Sequence, residues 1–249
     1  MSRLSMSKYP LSLLCAYSFR PDVAVEERPP GEAARVGSLV HGLMEAHVTG
    51  RHVEAKDVEP DELAKALRIF NGPLRTWLDS RKWDACEVGL RYDSEADAAA
   101  DGPRRGEPGY DDHGPMVLKG TLDLVHIEGD TGWVPDLKTG QERNAHEEQV
   151  IAQGVAAARR YGLRRVFVGF TFAKVKSCPE PAWVELDADR IDYEAGRIRR
   201  HLRMLPASKP KTGEHCWRCD LGKARCPAWE LTVPPDLEEA WNEAEEQCA

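Results

Sequence analysis

The sequence has no apolar run long enough to cross a bilayer, and its opening residues, "MSRLSMSKYP", lack the apolar core of a secretory signal. Both absences lead to the expectation of a cytoplasmic protein. No internal repeat is present. The seven cysteines are an odd number in a chain without an export signal, which argues against a disulfide framework. Acid is missing from one stretch: residues 149–179 contain neither Asp nor Glu, yet they carry Arg159, Arg160, Arg164, Arg165, Lys174 and Lys176.

What is present bounds the rest. A chain of 249 residues, 41% of them hydrophobic, can bury a core of its own. A net charge of −8 opposes general attraction of a phosphate backbone to the whole surface, but the charges are segregated. "RIRRHLR" and "KPK" extend the basic region, while acids concentrate in residues 93–112 and in the tail "DLEEAWNEAEEQ". The segregation suits a basic channel on an acidic body, with Arg159, Arg160, Arg164 and Arg165 as candidate DNA contacts. It suits solvated helix faces equally well.

"CWRCDLGKARC" spaces Cys216, Cys219 and Cys226 as C-x2-C-x6-C, close enough for their thiolates to converge on one metal centre. Three ligands leave a tetrahedral site incomplete, and Cys15 in "LSLLCAYSFR" is a candidate for the fourth. An iron–sulphur cluster and a structural zinc both fit the trio; Cys15 taken alone fits helix packing as well.

Periodicity places a helix around residues 10–19 and another around 36–48, where Val36, Val40, Leu43, Met44 and His47 recur at helical spacing. His41 and Glu45 share a face beside that stripe. "DELAKALRIFNGPLRTWLDS" reads as a helix broken at Asn71-Gly72-Pro73. "CEVGLRY" alternates as a strand. Residues 93–116 are rich in Gly, Pro and acid and read as a mobile insertion without core residues. "VLKGTLDLVHI" and "WVPDLK" form a hairpin across the five-residue loop "EGDTG". A turn centred on Asp130 sets Asp123 opposite Leu137, one position from Asp136. A helix through "AHEEQVIAQGVAAARRYG", a strand "RRVFVGFTF" and a helix over residues 187–204 with an Ile191, Ala195, Ile198, Leu202, Leu205 stripe complete the order. Residues 1–230 then form one domain, followed by an acidic tail over 231–249.

In "GWVPDLKTGQ" the period-two alternation turns Asp136 and Lys138 to one face. A lone D-x-K is most often a solvated strand edge with a weak ion pair. With Asp123 brought close by the hairpin, two carboxylates stand beside a lysine. Such a set can hold Mg²⁺ or Mn²⁺, which polarises a phosphodiester, while the lysine orients water and offsets developing charge. His41 could add a nitrogen ligand, which favours Mn²⁺.

With "GSLVH" (His41), "GTLDLV" (Asp123), "PDLKTG" (Asp136, Lys138), "EEQ" (Gln149) and the bracketing cysteines, the sequence resembles the PD-(D/E)xK nucleases. The closer likeness is to the RecB-like iron–sulphur branch, with its CRISPR-associated exonucleases and AddB-type subunits. The resemblance spans the chain from Cys15 to Cys226. It implies an α/β, restriction-endonuclease-like fold with a central mixed sheet flanked by helices and a C-terminal cysteine-rich staple. It also implies His41, Asp123, Asp136 and the Leu137 carbonyl as ligands of Mg²⁺ or Mn²⁺, and Lys138 as the catalytic lysine. Gln149 would contact substrate or orient that lysine, and Cys15, Cys216, Cys219 and Cys226 would hold a [4Fe–4S] cluster, with Zn²⁺ as the alternative. Glu87 sits where the family often has an acid. Where the family commonly has tyrosine four residues after the glutamine, this chain has Gln153. The implied activity is exonuclease action on DNA that is single-stranded or has free ends, with a helicase or CRISPR-adaptation partner. The rivals are a non-catalytic DNA-binding subunit, a structure-selective endonuclease and a zinc-stapled interaction protein.

Overall fold

The computed structural model describes residues 4–20, 23, 30–51, 58–104, 107–140, 146–210 and 226–227. Six strands form one mixed sheet: β1 (Ala85–Asp93), β2 (Ala98–Asp101), β3 (Val117–Glu128), β4 (Thr131–Lys138), β5 (Arg165–Phe172) and β6 (Val184–Leu186), in the order β2-β1-β3-β4-β5-β6. Only β4 and β5 are parallel, because the helix α5 (Glu147–Tyr161) carries the chain back between them.

Helices cover both faces. α1 (Tyr9–Leu14), α5 and α6 (Ala188–Met204) lie on one side, over a core of Leu90, Tyr92, Leu118, Leu122, Val134, Val166 and Val168. The expected stripe of α6 is buried throughout: Ile191, Ala195, Ile198, Leu202 and Leu205 are each at most 4% exposed. Asp187 caps this helix by accepting the Arg190 N–H at 2.8 Å. α5 can approach the sheet closely because Gly154 has no side chain; a Cβ there would lie 2.6 Å from Val168 Cγ1.

α2 (Glu32–Thr49), α3 (Pro60–Ile69) and α4 (Arg75–Asp79) cover the other side, over a smaller core that includes Val40, Met44, Leu74, Leu124 and Leu137. The expected break between α3 and α4 is a single π turn, Phe70–Leu74, in which Gly72 leaves helical geometry ahead of Pro73. Among the described residues no helix is long and apolar enough to cross a membrane.

The described residues between 93 and 116 include some that pack on the core, which corrects the expectation that this stretch contributes nothing to it. Ala98–Asp101 pairs with β1 as an edge strand, and Ala99 and Met116 pack against the main core. The next residues lie directly on β1: a Cβ on Gly89 would fall 2.2 Å from the Gly102 carbonyl, so glycine is what allows the contact. Lys119, 4% exposed, is ion-paired with Asp111, and its ammonium sits 4.0 Å from the Tyr110 ring. The short strands β2 and β6, with four and three residues, were not separable from loop by periodicity.

Candidate active site

The site lies in a fork of the sheet. β3 and β4 pair from Glu128↔Thr131 to His126↔Trp133 and then part. Their connection is a two-residue turn, Gly129-Asp130, with Gly129 at φ 62. The register therefore differs by one from the expected loop and, extended, sets Asp123 level with Asp136 rather than with Leu137. In the fork Asp123 Oδ2 accepts the Leu137 N–H at 2.6 Å, so a carboxylate satisfies the backbone donor that a ladder would otherwise have used.

β1 supplies an acid at the same level. The flanking pairs Cys86↔Leu124 and Val88↔Leu122 put Glu87 across from Asp123. Glu87 has φ 51, a left-handed conformation that costs a residue other than glycine about 1–3 kcal/mol. The kink has a visible effect: Cys86 and Val88, two apart, face opposite cores instead of the same one.

From α2, His41 Nδ1 donates to Glu87 Oε1 at 2.7 Å and lies 3.6 Å from Asp123 Oδ1, while Nε2 donates to the Leu137 carbonyl at 3.1 Å. One donor atom from each of His41, Glu87 and Asp123 lies within 4.8 Å of the others, and these are an imidazole nitrogen and two hard oxygens. The donor set fits a divalent cation. The sequence treated Glu87 as optional; only its register opposite Asp123 could have raised it.

The other wall of the fork comes from α5. Gln149 and Gln153, one helical turn apart, both donate to Asp136 Oδ1, at 2.7 and 2.9 Å. Lys138 Nζ stands 2.7 Å from Asp136 Oδ2 and 3.4 Å from Gln149 Oε1. Gln149 thus spans the lysine and the carboxylate, accepting from one and donating to the other. Gln153 also donates to the Thr121 carbonyl at 3.1 Å, so it ties α5 to β3 as well as to Asp136.

Burial sets the charge states. Asp123 is pushed up to about 8 by loss of solvent, with Asp136 and Glu87 pushing the same way and His41 opposing. Burial alone would lower His41, but the Asp123 charge and the Glu87 hydrogen bond outweigh it and raise the imidazole to about 9. Burial likewise opposes the Lys138 ammonium, yet Asp136 and Asp123 hold its pKa above the ordinary lysine value. Near neutral pH, therefore, the metal-free site holds two cations against its acids.

Other candidates lie elsewhere. Glu45 is paired with Arg104 at 2.8 Å. The four arginines are not brought to the fork. Arg159 is held by Asp97 and Asp192, Arg160 by Asp101 and Arg165 by Glu185. Arg164 and Arg165 also stand at the hairpin-turn end of β5, where both backbone N–H groups donate to the Asp130 carbonyl, seven rungs from Phe172 beside Lys138. Cys15 is buried and Cys226 half-buried, whereas Cys216 and Cys219 lie outside the described residues.

A mixed sheet flanked by helices, with acids, an imidazole and a lysine converging where two strands part, defines a restriction-endonuclease-like α/β protein with a candidate hard-cation site. The chain belongs to the PD-(D/E)XK nuclease superfamily, whose family model matches residues 3–227. No curated protein gives a significant sequence match. Among solved structures, the one titled "Crystal structure of SSO0001" is similar at 14% identity, covering 91% of this chain and 96% of that one, with a TM-score of 0.36.

Proposed function

We propose that this protein is a Mg²⁺- or Mn²⁺-dependent deoxyribonuclease acting as an exonuclease on single-stranded DNA. The observation that carries the reading is the fork itself: His41, Glu87 and Asp123 within ligand distance of one another, next to the Asp136–Lys138–Gln149 cluster. His41, Glu87, Asp123 and the Leu137 carbonyl would hold the cation, with Asp136 alongside. A divalent cation bound there polarises the phosphodiester and lowers the pKa of water.

The chain's own groups do the rest. Lys138, kept cationic by Asp136 and Asp123 in the metal-free site, orients the attacking water and offsets negative charge developing on the phosphate. Gln149 fixes the lysine's position through its amide oxygen. Gln149 and Gln153 together fix the Asp136 carboxylate.

The test is degradation of end-labelled single-stranded DNA with Mn²⁺, comparing the anaerobically purified protein with Lys138→Ala. The unmutated protein should cut, circular single strands should resist, and the variant should be slower by about a hundredfold to a thousandfold. Binding without cutting by either protein would reassign the chain as a non-catalytic DNA-binding subunit, and cleavage of circles would make it an endonuclease.

We further propose that Cys15, Cys216, Cys219 and Cys226 hold a [4Fe–4S] cluster joining the two ends of the chain. Two contacts support it: Ser12 Oγ lies 2.8 Å from His201 Nε2, and Arg20 donates to the Ser208 carbonyl at 3.2 Å. Cys15 thus lies between residues already bonded to the segment that leads towards Cys216. The anaerobic preparation should be brown and contain about four iron and four sulphide per chain; colourless protein with zinc would overturn the cluster.

A further inference from the structure

β5 carries two aromatic rings directly beside the catalytic strand. The parallel register pairs Asp136 with Phe170 and Lys138 with Phe172, so both rings share a sheet face with the acid and the lysine. Contacts show the same arrangement. Lys138 Nζ lies 5.5 Å from the Phe170 ring centroid, and the two ring centroids are 6.4 Å apart. Lys174, two residues beyond the strand, has its ammonium 6.0 Å from the Phe172 ring.

The strand's other residues are spoken for. Val166, Val168 and Thr171 are fully buried. Phe170 leans partly on the main core, whereas Phe172 is half-buried and belongs to neither hydrophobic cluster. A core explanation therefore accounts for the first ring only. Past Phe172 the chain exposes Lys174 and Lys176 within the acid-free stretch of residues 149–179. Aromatic faces alternating with lysines are the chemistry that binds unpaired nucleotides: rings stack on bases of any identity, and ammonium groups meet the phosphates.

We propose that Phe170 and Phe172, with Lys174, form a base-stacking strip that seats the nucleotide adjoining the scissile phosphate and so selects single-stranded over paired DNA. The proposal rests on the nuclease reading of the fork and adds to it the feature that recognises the substrate. A base held in a duplex already stacks on its neighbours, and the strip has nothing to offer it.

The experiment uses one set of single-stranded oligonucleotides carrying 2-aminopurine or an abasic unit at successive positions, read in two ways. Binding is followed by 2-aminopurine fluorescence without metal, and cleavage is followed with Mn²⁺, for the unmutated protein, Phe172→Ala and Phe172→Trp. One position should be quenched on binding, weakly with Phe172→Ala and again strongly with Phe172→Trp. The KM should rise about tenfold in Phe172→Ala, in line with base–aromatic stacking. An abasic unit at that position should cost the unmutated protein the same factor and cost Phe172→Ala nothing more. Independent, multiplying losses, or quenching unchanged in a Phe172→Ala protein that melts normally, would overturn the strip while leaving the nuclease reading intact. Quenching that depends on Phe172 without cleavage would do the reverse. No binding by any form would overturn the strip.

Discussion

Asp123→Asn is expected to abolish cleavage, by about a thousandfold or more, and at the same time to raise the melting temperature of the metal-free protein above pH 7. The two effects share one cause. Asp123 is buried among Glu87 and Asp136, and its folded pKa of about 8 stands far above the ordinary carboxyl value of 3.8. Between those values the folded chain binds more protons than the unfolded one, so its stability falls as pH rises through the window. Above about pH 8 the full cost of the buried anion is present. Asparagine carries no charge, and its carbonyl oxygen can still accept the Leu137 N–H that Asp123 now accepts. Part of the gain is offset because His41 loses one of its two acidic partners and keeps Glu87. A net rise of a few degrees is expected at pH 8, about 2–4 °C for each kcal/mol, shrinking towards pH 4. Calorimetry in EDTA across that range checks it; a variant that melts lower at pH 8 than the unmutated protein would show that the carboxylate is stabilising there.

Mn²⁺ affinity should climb steeply between pH 7 and 9. To serve as a ligand, His41 must give up the proton it holds up to about pH 9, and Asp123 must be ionised. Each proton displaced makes the affinity rise about tenfold per pH unit until the group has titrated. Stability of the metal-free protein moves the other way. The contribution of the His41 cation is complete below its ordinary value of 6.5 and is lost as pH rises through about 9. The thermal shift produced by saturating Mn²⁺ therefore widens with pH. Titration calorimetry in buffers of differing ionisation enthalpy counts the protons directly: nearly two released per ion at pH 7.5, falling towards none near pH 10. Release of no protons at pH 7.5 would remove His41 and Asp123 from the ligand set.

The parts of this fold legible in the sequence are those where a period repeats long enough to exclude its alternatives. The stripe of α6, the alternation in β5 and the break at Pro73 are of that kind. The alternation of Asp136 and Lys138 within β4 was legible too, and it places both towards α5. What escaped had no period. A two-residue and a five-residue connection through "EGDTG" differ by one register step, and both are chemically acceptable for that sequence. The left-handed backbone at Glu87 cannot be read from a residue type that ordinarily avoids it; only the sheet around it holds it there. The pairing of the arginines was not legible for a different reason. The charges of Arg159, Arg160 and Arg165 were visible, but their partners Asp97, Asp192, Asp101 and Glu185 lie on other elements, and composition does not reveal pairing across a fold.

The segment between β1 and β3 leaves and returns at one closed rung, Asp93 paired with Val117, with the Ser94 N–H bonded to the Met116 carbonyl just beyond it. Asp93 and Val117 lie three rungs beyond the Leu90↔Gly120 pair, but Gly102 folds back against Gly89, so only what is spliced in clear of that contact leaves Glu87 and Asp123 undisturbed. Lineages descended from this chain could lengthen the segment at its exposed residues around Asp112 and Gly114 while inheriting the chemistry intact. Diversification of substrate choice should accordingly be written there, in a part of the gene where insertions and deletions are tolerated, and the fork should change slowly by comparison.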